Sequence, residues 1–103
     1  MATHKIYVGN NNDEIKVSLG DIVIIELPEN PTTGYQWESV NLNTDVIREK
    51  QNSFISSNAG IGAGGMRQIE FEIILVQPET VVLQNAQKWS NDVFQYFTVK
   101  LSI

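Results

Sequence analysis

Cysteine is absent from this chain, which removes a disulfide framework, a thiolate metal site and a cysteine nucleophile together. Histidine occurs once, at His4, flanked by Thr3 and Lys5; an exposed histidine at a strand end fits that setting better than a general base or a metal ligand. Basic residues are few, seven against twelve acidic ones for a net charge of −5. They are scattered without forming a stripe, which argues against nucleic acid and anionic membrane as partners. Eighteen apolar residues never run together, and the opening MATHKIYVG carries no apolar stretch of signal-peptide length. The expectation is a cytoplasmic protein. A 3.6-residue apolar period is missing as well, although Asp45 to Gln51 would tolerate a helical turn.

What is present is a period of two. Ile15-Val17-Leu19, Ile69-Phe71-Ile73-Leu75 and Phe97-Val99-Leu101-Ile103 alternate with polar residues, which places one face of each segment on a core and the other in water. Further strands are read near residues 4–8, 21–27, 35–40, 46–55 and 80–85, between clusters of Gly, Asn, Pro and Ser. The 103 residues, 42% apolar and 18% charged, suit one globular domain with one core, spanning 1–103. The fold expected is all-β, an immunoglobulin-like antiparallel β-sandwich of about seven or eight strands. Nothing calls for an obligate dimer, so a monomer is expected. Glu70 and Glu72 share an outward face with Gln68, while Asp13, Glu14 and Asp21 read as solubilising charges at turns and strand edges.

Three loops stand out: 28–34 (PENPTTG), 56–65 (SSNAGIGAGG) and 85–92 (NAQKWSND). Alternate connections of a sandwich share one end, so the three can build a composite surface. GIGAGG fits G-x-G-x-x-G, with Glu79 roughly twenty positions on, yet a dinucleotide site requires a helix after the glycines and a strand pattern follows instead. The tract is either a plain hairpin loop or a stretch whose lack of side chains lets another protein's backbone come close. Catalytic constellations, a metal cluster and a cofactor fingerprint are all missing, so no enzyme is read. Tyr35 and Trp37, two apart in a strand, should both face the core. Trp89, among Gln87, Lys88, Ser90, Asn91 and Asp92, either folds back onto the sheet or stands out as an aromatic anchor of the kind enriched at binding hot spots. An adhesion or carbohydrate-binding module, with Trp89 and Tyr35 as stacking platforms, is the rival to a protein-binding role.

Asn30-Pro31-Thr32-Thr33-Gly34-Tyr35-x-Trp37, followed by Gly62-x-Gly64-Gly65 with Phe71 six positions further, resembles the chagasin family of protein inhibitors of papain-like cysteine proteases. The resemblance spans most of the chain. It implies three loops at one end of an immunoglobulin-like sandwich that together plug the active-site cleft of a papain-like or cathepsin L-like enzyme. By that resemblance Asn30, Pro31, Thr32, Thr33 and Gly34 enter the catalytic centre as a wedge, with Thr32 nearest the catalytic cysteine and histidine. Ile61, Gly62, Ala63, Gly64 and Gly65 would flank it on one side, and Gln87, Lys88 and Trp89 on the other. Gln87 and Lys88 stand where the family usually has Arg-Pro ahead of the tryptophan, so the third loop should be less preorganised.

Physical chemistry agrees with such a role. A thiolate beside a protonated histidine makes a narrow, polar centre, and a plug for it must be thin, neutral and stiff. Pro31 fixes one φ and biases Asn30 towards extended backbone. Thr32 and Thr33 are expected to offer hydroxyls to the protease, and Gly34 to let the chain turn back into the sheet.

Overall fold

Period-two alternation folds as it should in the computed structural model, which describes residues 1–56 and 64–103. Among them are eight strands and no α-helix: β1 (Thr3–Tyr7), β2 (Glu14–Lys16), β3 (Ile22–Glu29), β4 (Tyr35–Val40), β5 (Ile47–Ser56), β6 (Gly65–Ile73), β7 (Glu79–Gln87) and β8 (Val93–Ser102). They form two four-stranded sheets, ordered β1-β3-β6-β5 and β2-β8-β7-β4. Most pairings are antiparallel as expected, but β1 runs parallel to β3 and β2 parallel to β8. The sheets are therefore mixed. Each parallel pair places a short N-terminal strand at a sheet edge, where it covers the backbone of β3 or β8.

The core lies between the inner faces. Val23, Ile25 and Leu27 of β3 meet Ile69, Phe71 and Ile73 of β6, and these pack against Trp37, Val81, Leu83, Phe97, Val99 and Leu101 of the other sheet, all essentially buried. Burying each large apolar side chain contributes about 1.5–3 kcal/mol. Three expected strands end early: Leu19, Leu75 and Ile103 lie beyond their strands and are exposed. Residues 47–56 are a strand, so the helical option there is closed.

Asp21 corrects a sequence expectation. It is buried and organises the amino terminus, accepting from the backbone N–H groups of Ala2 at 2.8 Å and Ser18 at 2.9 Å and sharing a 2.8 Å hydrogen bond with His4 Nε2. These contacts hold its carboxyl down at about 2, the Ala2 N–H contributing most, followed by His4 and Ser18. His4 is likewise a structural partner, half-buried rather than exposed.

β3 reaches two residues beyond the predicted strand. Pro28 is tolerated because β1 ends opposite Glu26, leaving the last turn of β3 with β6 as its single neighbour. Keeping the alternation of 23, 25 and 27 places Glu29 on the inner face, buried. The chain then crosses from one sheet to the other through residues 30–34.

Candidate functional site

The crossing is a single 3-10 turn, Pro31–Thr33, that locks itself. Asn30, at φ −120° and ψ 102°, is extended as the following proline requires. Its Oδ1 accepts from the Thr32 N–H at 3.1 Å and from the Thr32 hydroxyl at 2.6 Å, a side-chain cap on the turn. The Thr33 hydroxyl donates to the Asn30 carbonyl at 2.7 Å and accepts from the Tyr35 N–H at 3.3 Å. Both threonine hydroxyls, expected to be held out to a partner, are thus used first to stiffen the loop. Pro31, Thr32 and Thr33 are exposed, and no residue from 30 to 34 carries a charge.

Gly34 closes the turn at φ +80°, left-handed backbone that suits glycine. A second constraint adds to this: a Cβ there would lie 2.2 Å from the outer edge of the Trp89 ring. Trp89 is therefore laid over the end of the turn while remaining 73% exposed. Of the two alternatives read for this tryptophan, an exposed ring is what the fold presents.

The base of the turn is clamped by a network that the sequence reading missed. The Glu29 carboxylate accepts from Arg67 Nη2 at 2.6 Å, from Arg67 Nε at 3.0 Å and from the Trp37 backbone N–H at 2.8 Å. Arg67 also donates to Asn52 at 3.0 Å and lies over the Phe54 ring, while the Trp37 indole donates to the Pro28 carbonyl at 2.9 Å. Four strands, β3, β4, β5 and β6, are tied at one end by one buried ion pair. Its side chains are 1% and 12% exposed, so each charge depends on the other.

Tyr35 departs from expectation. It is half-buried; its hydroxyl donates to Asp92 of the third loop and its ring packs 5.7 Å from that of Phe94. The hydrogen bond to Asp92, more than partial desolvation, raises the Tyr35 hydroxyl above the ordinary tyrosine value of 10.0. A side chain held this way is a strut and not a free stacking platform.

The second loop joins at its C-terminal end. Gly64, at φ +76°, sits where a Cβ would be 2.9 Å from the Glu29 carbonyl oxygen and 3.4 Å from Asn30, and a Cβ on Gly65 would run into the Ile55 carbonyl oxygen. Ile61, Gly62 and Ala63 lie outside the described residues. The third loop is ordered by Gln87: its N–H donates to the Asp92 carbonyl at 3.0 Å, its Oε1 accepts from Ser90 at 2.8 Å, and its Nε2 donates to the Thr33 carbonyl at 3.3 Å. The expected loss of preorganisation at this position is thereby offset, since Gln87 itself staples the third loop to the first. Lys88 and Trp89 are exposed beside it. The first and third loops thus converge on one rim, together with Gly64 at the end of the second.

A sequence profile describing the Chagasin family peptidase inhibitor I42 matches residues 16–103. The chain belongs to the chagasin family of peptidase inhibitors. Chagasin of Trypanosoma cruzi is 28% identical to it over 95 residues, which cover 85% of this chain and 84% of that protein. The crystal structure of the cysteine protease inhibitor EhICP2 from Entamoeba histolytica superposes with a TM-score of 0.87 at 23% identity, over 99% of this chain and 96% of that one. PbICP-C, solved in complex with falcipain-2, gives 0.72 at 15% identity, over 96% and 98% of the two chains. At those identities the two structures speak for the fold of this chagasin-family domain. Among the described residues there is no group of metal-binding side chains and no helix long and apolar enough to cross a membrane.

Proposed function

We propose that this protein is a reversible, tight-binding inhibitor of papain-like cysteine proteases that seats residues 30–34 in the active-site cleft and braces them with the two flanking loops. The observation that carries the reading is the convergence of the loops: Trp89 lies across Gly34, and Gly64 abuts the backbone that enters the turn. Thr32 is the tip, with Asn30, Pro31, Thr33 and Gly34 behind it. Ile61, Gly62, Ala63, Gly64 and Gly65 take one lip of the cleft, and Gln87, Lys88 and Trp89 the other. No cofactor takes part, and the protein acts as a monomer by occupying the site, without catalysis of its own.

Why the plug resists cleavage follows from its internal bonding. A protease cuts a peptide only when the scissile carbonyl reaches a near-attack geometry. Here the turn is fixed by the Asn30 and Thr33 side chains and clamped at both ends, so bending it into an extended substrate requires several hydrogen bonds to break together. Its rigidity also lowers the ordering entropy of association. Three loops can fill a standard interface of roughly 1,600 Å². We attach to this reading a cytoplasmic site of action, consistent with a chain that holds by packing without any cysteine; fractionation of the source cells checks it.

Titrating papain with the purified domain tests the reading. Activity should fall stoichiometrically to a low residual level and return on dilution. Thr32→Arg, a bulky charge at an exposed tip, should weaken inhibition by about a hundredfold or more, the range of an interface hot spot, with circular dichroism unchanged. Undiminished inhibition by that variant would remove the tip from the cleft.

A further inference from the structure

Behind the turn lies a groove of about 450 Å³, walled by Pro28, Thr33, Tyr35 and Phe94, with Gly64 at one end and Asn85 among its lining residues. Its outer wall is unusual. Phe94 is an aromatic residue 70% exposed, and it stands on a β-bulge: Asn85 pairs with Gln95 and Ala86 with Val93, so Phe94 has no residue opposite it. Its ring packs on Tyr35, which is itself fixed to Asp92. An exposed aromatic held this firmly loses little freedom when a partner covers it, which is the character of a binding anchor.

The groove is continuous with the inhibitory rim, since Asn30 and Thr33 line it from the turn and Gly64 from the second loop.

Resting on the inhibitor reading above, we infer that the groove is a socket for an apolar side chain on the rim of the protease cleft, with Phe94 as its outer wall and a fourth contact beyond the three loops. The plug then has a receptor beside it: residues 30–34 enter the enzyme, and a side chain of the enzyme enters the inhibitor. Selectivity among proteases would follow from whether their rim carries an apolar residue at that place.

Papain inhibition by the full chain and by three variants tests this. Phe94→Ser removes the wall and should raise the inhibition constant about tenfold or more, chiefly through faster dissociation, with a melting temperature within a few degrees of the parent because the residue is exposed. Phe94→Leu keeps an apolar wall and should stay within about threefold. Gln95→Trp places an indole at the mouth of the groove while leaving Phe94 in place, and should weaken inhibition as Phe94→Ser does. A Phe94→Ser protein that inhibits within twofold of the parent overturns the inference. So does a weakened Phe94→Ser paired with an unaffected Gln95→Trp, which would make Phe94 a plain contact and the groove empty. Failure of the parent chain to inhibit papain at all would instead sink the inhibitor reading itself.

Discussion

Arg67→Met should separate what holds the domain together from what aims the turn at residues 30–34. The substitution keeps side-chain length and removes the guanidinium, leaving the Glu29 carboxylate, whose side chain is 1% exposed, with the Trp37 N–H as the one remaining donor of the network described above. Removing one partner of a buried ion pair costs about 3–5 kcal/mol, because the other charge stays buried without compensation. For a domain near this size each 1 kcal/mol lowers the melting temperature by about 4–8 °C, so a fall of about 12 °C or more is expected. Glu29→Leu combined with Arg67→Met should recover most of that stability, since an apolar pair of similar volume is often neutral or better. Inhibition should not recover with it. In the double variant the Trp37 N–H has lost its acceptor and the side-chain tie from β3 to β6 at the base of the turn is gone, leaving only the backbone ladder, so papain inhibition should be about tenfold weaker or more, and cleavage within residues 30–34 should become measurable on incubation. Urea unfolding followed by fluorescence of the buried Trp37, a double-mutant cycle on the two sites, and inhibition constants for each protein supply the numbers. An Arg67→Met loss below about 1 kcal/mol, or two single effects that simply add, would refute the claim that this pair braces the loops.

Gly34→Ala should destabilise by more than about 1 kcal/mol, since it meets both left-handed backbone and the Trp89 ring edge, and should weaken papain inhibition; thermal melting and titration check both. Asn30→Ala removes the cap from the Thr32 N–H and hydroxyl and should cost about 1 kcal/mol, with faster proteolytic nicking in the turn seen by mass spectrometry. Acid sensitivity should carry the mark of Asp21. Its carboxyl is lowered to about 2 in the fold from a usual 3.8, so its contribution is complete above about pH 4 and is lost as pH falls towards 2. Asp21→Asn should be less stable than the parent near pH 6, and the gap should close in that acid window; a constant gap in denaturant titrations between pH 6 and 2 would contradict the assignment.

The sandwich was legible because the central strands have one dry face: the runs at 69–73 and 97–101 alternate without interruption, and the buried set follows them. Strand ends were less legible, because Leu19, Leu75 and Ile103 continue the pattern by composition after the sheet partner has stopped. The candidate site was legible as three loops, from the glycines, Pro31 and the isolated Trp89, of which residues 57–63 lie outside the described residues. Its brace was not. Extending the parity of 23-25-27 forward and of 69-71-73 backward turns Glu29 and Arg67 inward with opposite charges, which is a readable signal, but ending β3 at residue 27 hid it. Asp21 was hidden for a different reason: its partners, Ala2, His4 and Ser18, converge only once β1 lies beside β3. The Tyr35 to Asp92 strut likewise joins residues 57 apart in sequence, a distance that no local pattern spans.

Binding to papain with an open cleft, compared with papain whose catalytic cysteine carries a bulky covalent inhibitor that fills the cleft, tests the central claim most directly. Titration calorimetry on the two forms should show tight one-to-one association with the open enzyme and none with the filled one. Equal affinity for both would mean that residues 30–34 do not enter the catalytic centre.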